Sequence, residues 1–418
     1  MASDMPGPIF STANFCRALL VVAFAGSGVA IAQDIAKDVA HNSDDTWDAA
    51  EIAARAVASA MPDTDEQEHS DLASEAYDAV VRDLLSKIDT IEKEQGHVAR
   101  PLEVPLFELG KLYLTGDRCQ DAIPLLRQAI ALTQRLDGVM NTRQLNMYEP
   151  LLDCFIAKDM IIDLQRALDQ TLLIRQNSYG KNDVRMIQAL SYAGSWYERA
   201  GQYDNAREMY QRSVDIARKA GGDGDARLVG PLRSLARTFR LQVQYEPEPL
   251  RGRALDAAGE RMLVKAAKIV RANAAVSPSL RIDTLMELAD WYQMSGAVRD
   301  ALKIYKEVWS ASVESGKSGE SVLGEPIPLL YRAAVGVALR TAPPDRQKMK
   351  HYWIDFEFRV TRFGQVEDVV AKHSSAPSSL QLGVAENLKR THYRPRFVNG
   401  ESVDTDGVKV RQGVWFSP

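Results

Sequence analysis

The sequence contains few of the residues that carry most catalytic chemistry. Its 418 residues include only three cysteines and six histidines. The histidines are scattered and form neither a His-x3-His pair nor an HExxH zinc motif. The sequence also lacks a glycine-rich phosphate loop and a GxSxG nucleophile motif. Because none of these motifs is present, we predict that the chain is not an enzyme and has no catalytic, cofactor-binding or metal-binding residues.

Long apolar runs and a strong net charge are also absent. After residue 32, no segment approaches the roughly 20 apolar residues that span a bilayer as a helix, so we expect no membrane span in the mature chain. The formal net charge of -5 argues against nucleic-acid binding, which usually requires an excess of basic residues. Hydrophobic residues make up 45% and charged residues 26%, values that are typical of globular proteins.

Residues 1–32 have the pattern of a secretory signal peptide. An apolar stretch begins at Ala18 and ends in Ala30-Ile31-Ala32, the small-x-small motif that precedes a signal-peptidase cut. We therefore expect export to the periplasm and a mature chain that begins at Gln33. The alternative is that the stretch is retained as an inner-membrane anchor.

Five positions recur along the chain with spacings of 3, 9, 4 and 3 residues. Small residues alternate with bulky ones at these positions, as expected where two antiparallel helices cross closely and stack on their neighbours. The clear copies are Gly110, Tyr113, Ala122, Leu126 and Ala129; Gly194, Tyr197, Ala206, Tyr210 and Ser213; and Ala289, Tyr292, Ala301, Tyr305 and Val308.

Two further copies complete a period of 42 residues. A degenerate copy begins at Leu152, and a split copy has Ala236 and Phe239 followed by Gly259. The gap from Phe239 to Gly259 is 20 residues instead of 9. We therefore expect the eleven extra residues to form a loop between the two helices of this unit.

The stretch from Leu190 to Ile216 resembles a tetratricopeptide repeat, and the spacing of 42 resembles the longer kinesin-light-chain variety. The resemblance implies a mainly α fold in which residues 104–340 form an α-solenoid with a capping helix at 326–340. Residues 33–103 would hold N-terminal helices and a possible upstream repeat. It also implies that the partners are proteins or peptides.

Residues 351–418 differ from the repeats and follow an expected linker at 341–350. Apolar residues alternate with polar ones from Ile354 to Val360, which predicts a half-buried strand. A second strand, a helix at Leu380–Arg390 and a final strand at Val408–Phe416 follow. We expect a small α+β (ββαβ) domain.

This segment resembles the C-terminal domain of TonB-type energy transducers. The similarity lies in Phe358-Arg359-Val360, in Gly364 and in Tyr393-Arg394-Pro395-Arg396-Phe397. The resemblance implies that partners bind by pairing strands with the domain, and that an outer-membrane protein is among the candidates. A role as an energy transducer of outer-membrane transport is therefore the alternative function.

A basic stripe is predicted on the concave face of the solenoid. Arg233, Arg237 and Arg240 lie at i, i+4 and i+7 on one helix, and Arg199 lies on an earlier unit. Guanidinium groups bind carboxylates in bidentate fashion, which suits an acidic peptide segment. The alternative is a solvated face on which these arginines pair with Asp153 and Asp290.

The final strand is the candidate open edge of the terminal sheet, through Val408, Lys409, Val410 and Arg411. An extended peptide could add there as another strand. The alternatives are that a second copy of the domain pairs with this edge in a homodimer, or that Lys409 and Arg411 protect it.

Cys119 and Cys154 remain after removal of residues 1–32. In the predicted register they lie near the same end of two adjacent antiparallel helices, so a disulfide between them is expected in an oxidising compartment. These features together predict a non-catalytic periplasmic scaffold that binds proteins through the solenoid groove and through the terminal domain.

Overall fold

The computed structural model describes residues 66–245, 249–330 and 350–416. The expected signal peptide at 1–32 lies outside these ranges, as does the expected linker except for Lys350. The chain forms two compact units, the first of which ends at Gln202 and the second of which begins at Tyr203.

The described part of the first unit is helical. Five α-helices of 10 to 19 residues follow one long helix. The first four form two pairs that match the first two predicted repeats, and the fifth matches the first helix of the third. The helices are α1 (Glu66–Gln95), α2 (Glu103–Thr115), α3 (Cys119–Asp137), α4 (Tyr148–Ala157), α5 (Ile161–Tyr179) and α6 (Met186–Arg199).

The second unit continues the helical pattern before it changes to strands. Its helices are α7 (Tyr203–Gly221), α8 (Val229–Tyr245), α9 (Pro249–Ala272), α10 (Pro278–Ser295), α11 (Val298–Glu314) and the single turn α12 (Glu320–Leu323). The last repeat consists of α10 and α11.

The small residues of the repeat lie where helices approach closely. Ala122, Ala206 and Ala301 have no exposed surface. A Cβ atom added to Gly110 on α2 would lie 2.7 Å from the Leu126 side chain on α3, which is too close for a real side chain. The small-then-bulky spacing therefore reflects direct packing between α2 and α3.

The prediction of an eleven-residue loop within the split repeat is wrong. The helix α8 runs to Tyr245 and α9 begins at Pro249, so α9 is 24 residues long and the extra residues lengthen helices. Proline is favourable at the first position of a helix because its N–H is not needed there. The stretch Leu250–Ala258 is rich in arginine, leucine and alanine, which favour helix over loop.

The terminal domain is built on a three-stranded antiparallel sheet of order β3-β2-β7. Its strands are β2 (Lys350–Val360), β3 (Val366–Ser374) and β7 (Thr405–Phe416), and the helix α13 (Ser378–Lys389) packs on the core face. The short strands β4 (His392–Arg394), β5 (Arg396–Val398) and β6 (Glu401–Val403) lie between α13 and β7, and the sequence did not predict them.

The capping helix expected at 326–340 is wrong in its first part. Ile327–Leu330 forms the strand β1, which pairs antiparallel with β4 through Ile327 opposite Arg394. Pro328 has no N–H to donate within a helix and is tolerated in a short edge strand. Residues 331–340 of the expected helix lie outside the described residues.

Candidate protein-binding surfaces

The predicted basic stripe lies on α8, and its first arginine is already bound within the chain. Arg233 forms a bidentate ion pair with Glu287 on α10, with Nε to Oε2 at 3.0 Å and Nη2 to Oε1 at 2.7 Å. Arg237 contacts the Ser234 hydroxyl at 3.4 Å, and Arg240 is half-buried. An acidic partner would therefore compete with Glu287 for Arg233.

Arg199 belongs to the first unit and is also paired. Its Nη2 lies 2.5 Å from Asp153 Oδ1, and its guanidinium stacks 4.1 Å from the centre of the Trp196 ring. This is the pairing with Asp153 that the solvated-face alternative expects. The ion pair therefore compensates the charge of the Arg199 guanidinium, while one face of the same group lies against the tryptophan ring.

Asp290 does not pair with the stripe, contrary to the alternative that assigned it there. It is 8% exposed and binds Arg394 of the terminal domain at 2.6 Å. Glu287, one turn earlier on α10, takes the place of Asp290 opposite Arg233. The sequence did not predict this exchange because Arg394 lies 104 residues from Asp290.

The strand β7 lies at one edge of the terminal sheet, and the direction of its backbone groups follows from β2. The Trp353 carbonyl accepts the Ser375 N–H on the β3 side of β2. Successive residues of a strand turn these groups to opposite sides, so Ile354, Phe356 and Phe358 face β7.

Their partners on β7 are Gln412, Val410 and Val408, which face inward for the same reason. The residues between these partners, Lys409 and Arg411, therefore turn their N–H and C=O groups to the outer edge. Among the described residues, no strand pairs with that edge.

The two edges of the sheet differ in regularity. The pairing of β7 with β2 runs without a shift from Lys350 opposite Phe416 to Phe358 opposite Val408. The β3 edge has register shifts at two places, and Asp368 on it has a positive φ of 54°. Irregular edges discourage the addition of strands, so β7 is the better template for an incoming strand.

Side chains divide the β7 edge into two faces. Val408 and Val410 are half-buried against the sheet core, whereas Lys409 and Arg411 are exposed on the outer face. Arg411 donates to Asp355 on β2 from Nε at 2.7 Å and from Nη2 at 2.8 Å. The hydrogen bond and charge of Arg411 lower the pKa of Asp355, so this pair is ionised at neutral pH.

Cys119 and Cys154 are joined in the structure as a disulfide, with their Cα atoms 5.2 Å apart. Cys119 is the first residue of α3, and Cys154 lies in the second half of α4. Both side chains are buried. The bond therefore links the first clear repeat to the degenerate repeat that follows it.

No helix within the described ranges is both long and apolar enough to cross a membrane. Over the same part of the chain, the structure contains no group of three or more histidine, cysteine, aspartate or glutamate side chains arranged to hold a metal ion.

Residues 162–219 and 185–247 match the tetratricopeptide repeat family. These segments extend from α5 to the end of α8, so the predicted repeat is confirmed there and the chain contains tetratricopeptide repeats. Repeats of this type mediate protein–protein interaction and are typically non-catalytic scaffolds.

Solved structures are similar to part of this chain. A kinesin light chain-type protein of nearly identical TPR-like repeats from Podosopora anserina is 19% identical, with a TM-score of 0.37, and the match covers 51% of this chain and 96% of that one. BtubC (BKLC) from P. vanneervenii is 12% identical, with a TM-score of 0.37, over 58% of this chain and 92% of that one. No curated protein sequence matches the chain.

Proposed function

We propose that the chain is a non-catalytic scaffold that binds proteins in the periplasm. The tetratricopeptide repeats carry this proposal, because repeats of this type mediate binding between proteins. The outer edge of β7 supports it as a second binding surface within the same chain.

The β7 edge suits one extended segment of a partner protein. The backbone groups of Lys409 and Arg411 would supply hydrogen bonds, which give affinity with little dependence on sequence. Neighbouring side chains on a sheet interact across strands. Val408 and Val410 therefore favour apolar residues on one side of the partner strand, and Lys409 and Arg411 favour acidic residues on the other.

The basic stripe on α8 is a further candidate surface, and an acidic segment is its proposed ligand. Binding there would exchange the Arg233–Glu287 ion pair for an intermolecular pair. Such exchange gives selectivity more than affinity, because the pair that is lost offsets the pair that is formed. We therefore rank the stripe below the β7 edge.

Export to the periplasm is part of the proposal. Residues 1–32 have the signal-peptide pattern, and a disulfide such as Cys119–Cys154 persists in oxidising compartments and is rare in the cytosol. Mass spectrometry of the protein from a periplasmic extract should find Gln33 as the first residue. Intact residues 18–32 in a membrane fraction would instead favour an anchored chain.

The alternative function is a TonB-type energy transducer that contacts an outer-membrane transporter. Its support is the resemblance of residues 352–416 together with the outer edge of β7, with which no other strand pairs in the part of the chain that the structure describes. A transducer requires a retained anchor, so the position of the mature N-terminus separates the two functions.

Crosslinking in intact cells tests the β7 surface directly. A photoreactive residue in place of Lys409 should capture a partner protein, and the same residue in place of Val370 on the irregular β3 edge should not. Arg411→Pro removes one outward N–H, whereas Arg411→Ala removes only the side chain. Capture of the identified partner should be lost in the proline variant and retained in the alanine variant.

Two other results would contradict this assignment. Equal capture by the proline and alanine variants would show that the backbone of β7 is not the binding element. Capture of a second copy of the chain in place of a partner would assign the edge to a homodimer.

A further inference from the structure

A buried ion pair joins the last repeat to the terminal domain. Arg394 on β4 donates to Asp290 on α10, from Nε to Oδ1 at 2.9 Å and from Nη2 to Oδ2 at 2.6 Å. Only 13% of the Arg394 side chain and 11% of the Asp290 side chain are exposed. A charge that is buried to this extent is costly without a well-formed partner. Each of these two residues therefore requires the other.

Tyr305 on α11 completes the surroundings of Asp290. Its hydroxyl donates to Asp290 Oδ1 at 2.8 Å, and its ring packs edge-on against Phe397 on β5 with centroids 5.9 Å apart. Burial and then the charge of Asp290 raise the pKa of Tyr305 well above its usual value, so the hydroxyl remains a donor. Burial alone would lower the pKa of Arg394, but the bonds and charge of Asp290 leave that pKa raised.

A second contact joins α10 to the turn between β2 and β3. The buried amide of Gln293 donates from Nε2 to the Phe363 carbonyl at 2.6 Å. The next residue, Gly364, has a φ of 75°, and its carbonyl accepts the Tyr393 N–H at 2.9 Å. A side chain at Gly364 would collide with Gln293 and with the Tyr393 backbone, so the close approach requires glycine.

Further contacts extend the interface along α11. Lys306 pairs with Glu401 at 2.7 Å, and Trp309 lies beside Gly400. The strand β1 follows the last repeat in sequence and pairs with β4, so the chain joins the two parts through backbone bonds as well. Side chains from both helices of the last repeat, and the backbone of the β1 strand that follows them, therefore contact the terminal domain.

We propose that Asp290, Gln293 and Tyr305 form a docking site on the last repeat, and that its occupant is the terminal domain of the same chain. Helical repeats bury their apolar faces by stacking, and the final repeat of a stack needs a cap. The terminal domain provides that cap, so the last repeat and the sheet open as one unit. The β7 edge is then presented from a fixed position on the last repeat.

This docking site restricts how the terminal domain can be tested. Deletion of residues 351–418 would uncover the buried Asp290 and the apolar surface around Tyr305, and would damage the last repeat as well as remove β7. Point variants in the full chain separate the two effects.

Hydrogen exchange measured on the full-length mature chain tests whether the last repeat and the terminal domain open together. With increasing denaturant, peptides from α10, α11, β2 and β4 should lose protection at the same concentration. Loss of protection in β2 and β4 before any loss in α10 and α11 would overturn the proposal, because it would show a terminal domain that opens independently.

Charge exchange tests the docking residues. Asp290→Arg and Arg394→Asp should each speed exchange in β4 and in α10, on the order of a hundredfold, because each leaves a buried charge without its partner. The double variant should recover most of the protection. The matched controls are Asp355→Arg and Arg411→Asp, which change an exposed pair of the same bidentate kind and should leave both segments unchanged.

A milder variant keeps the test decisive if the charge variants do not fold. Gln293→Ala removes one buried donor to the Phe363 carbonyl and should speed exchange around residues 361–365 while α8 keeps its protection. Unchanged exchange around these residues would overturn the docking site.

Discussion

The first and the last of the described repeats are secured by different chemistry. The first clear repeat is joined to the degenerate repeat that follows it by the Cys119–Cys154 disulfide, whose cysteines are 35 residues apart. The last repeat is joined to the terminal domain by the Asp290–Arg394 ion pair, whose partners are 104 residues apart. The covalent link depends on the redox state of the compartment, whereas the ion pair depends on burial and on the correct partner.

The largest effect is expected at the ion pair. Asp290→Ala leaves the Arg394 guanidinium buried without its carboxylate, and breaking a buried pair in this way should destabilise the second unit by about 3–5 kcal/mol. Denaturant unfolding with hydrogen exchange would measure the loss and place it in α10, α11 and β4. A loss below about 1 kcal/mol, the size of an exposed pair, would contradict the proposed role of burial.

Loss of the disulfide should cause the next largest loss of stability, and this loss should fall in the first unit. Constraint of the unfolded chain by a disulfide stabilises a protein by about 2–4 kcal/mol. The double variant Cys119→Ser, Cys154→Ser should lower the stability of α2 to α5 by a similar amount, with no change in α10 and α11. Alkylation of both thiols in unreduced, unfolded protein would show that no bond exists.

Most of the helical architecture could be predicted from the sequence because the repeats depend on short-range spacing. Gly110 and Leu126 are 16 residues apart and meet in one helix crossing, so their pattern repeats visibly along the chain. The alternation from Ile354 to Val360 predicted β2 for a similar reason, since a strand buries every second residue.

The docking of the terminal domain could not be predicted in this way. Asp290 occupies an ordinary helix position, and nothing near it in sequence indicates a partner on β4. Arg394 lies in the segment that resembles the TonB C-terminal domain. That resemblance predicted strand pairing with a partner, and it predicted no contact with the last repeat. Pairs separated by a whole domain leave no periodic pattern.

The candidate binding surfaces could be predicted only in part, because their details also depend on pairs that are distant in sequence. The position of β7 as an edge follows from strand order, but the outward direction of the Arg411 N–H required the pairing register. The solvated-face alternative offered Asp290 to the arginine stripe, whereas Arg233 pairs with Glu287. Glu287 and Asp290 lie on adjacent turns of α10, and only their surroundings distinguish them.

A substitution at a helix crossing should destabilise the protein less than loss of the ion pair or of the disulfide does. Gly110→Ala places a Cβ atom 2.7 Å from the Leu126 side chain, and such overpacking should cost about 1–3 kcal/mol. Gly383→Ala on α13 is the control, because nothing lies within 4 Å of its added Cβ. The control should gain up to about 1 kcal/mol from helix propensity. Equal thermal midpoints for the two variants would mean that the repeat register is wrong.

The exposed pair Asp355–Arg411 should show the smallest effect and provides the sharpest contrast with Asp290–Arg394. Both pairs are bidentate, but 68% of the Arg411 side chain is exposed, so water and salt screen the attraction. Asp355→Asn should therefore lower the thermal midpoint at neutral pH far less than Asp290→Ala does.

The pH dependence of this small effect has a definite sign. The Arg411 hydrogen bond lowers the pKa of Asp355 below its ordinary value of 3.8, so the pair stabilises the fold above about pH 4 and loses this contribution as pH falls through the lowered pKa. The difference in midpoint between wild type and Asp355→Asn should therefore shrink when the measurement is repeated near pH 2. A difference that grows on acidification would mean that Asp355 is stabilised in its protonated form, and the Arg411 pair would then not be the interaction that holds β7 against β2 on its outer face.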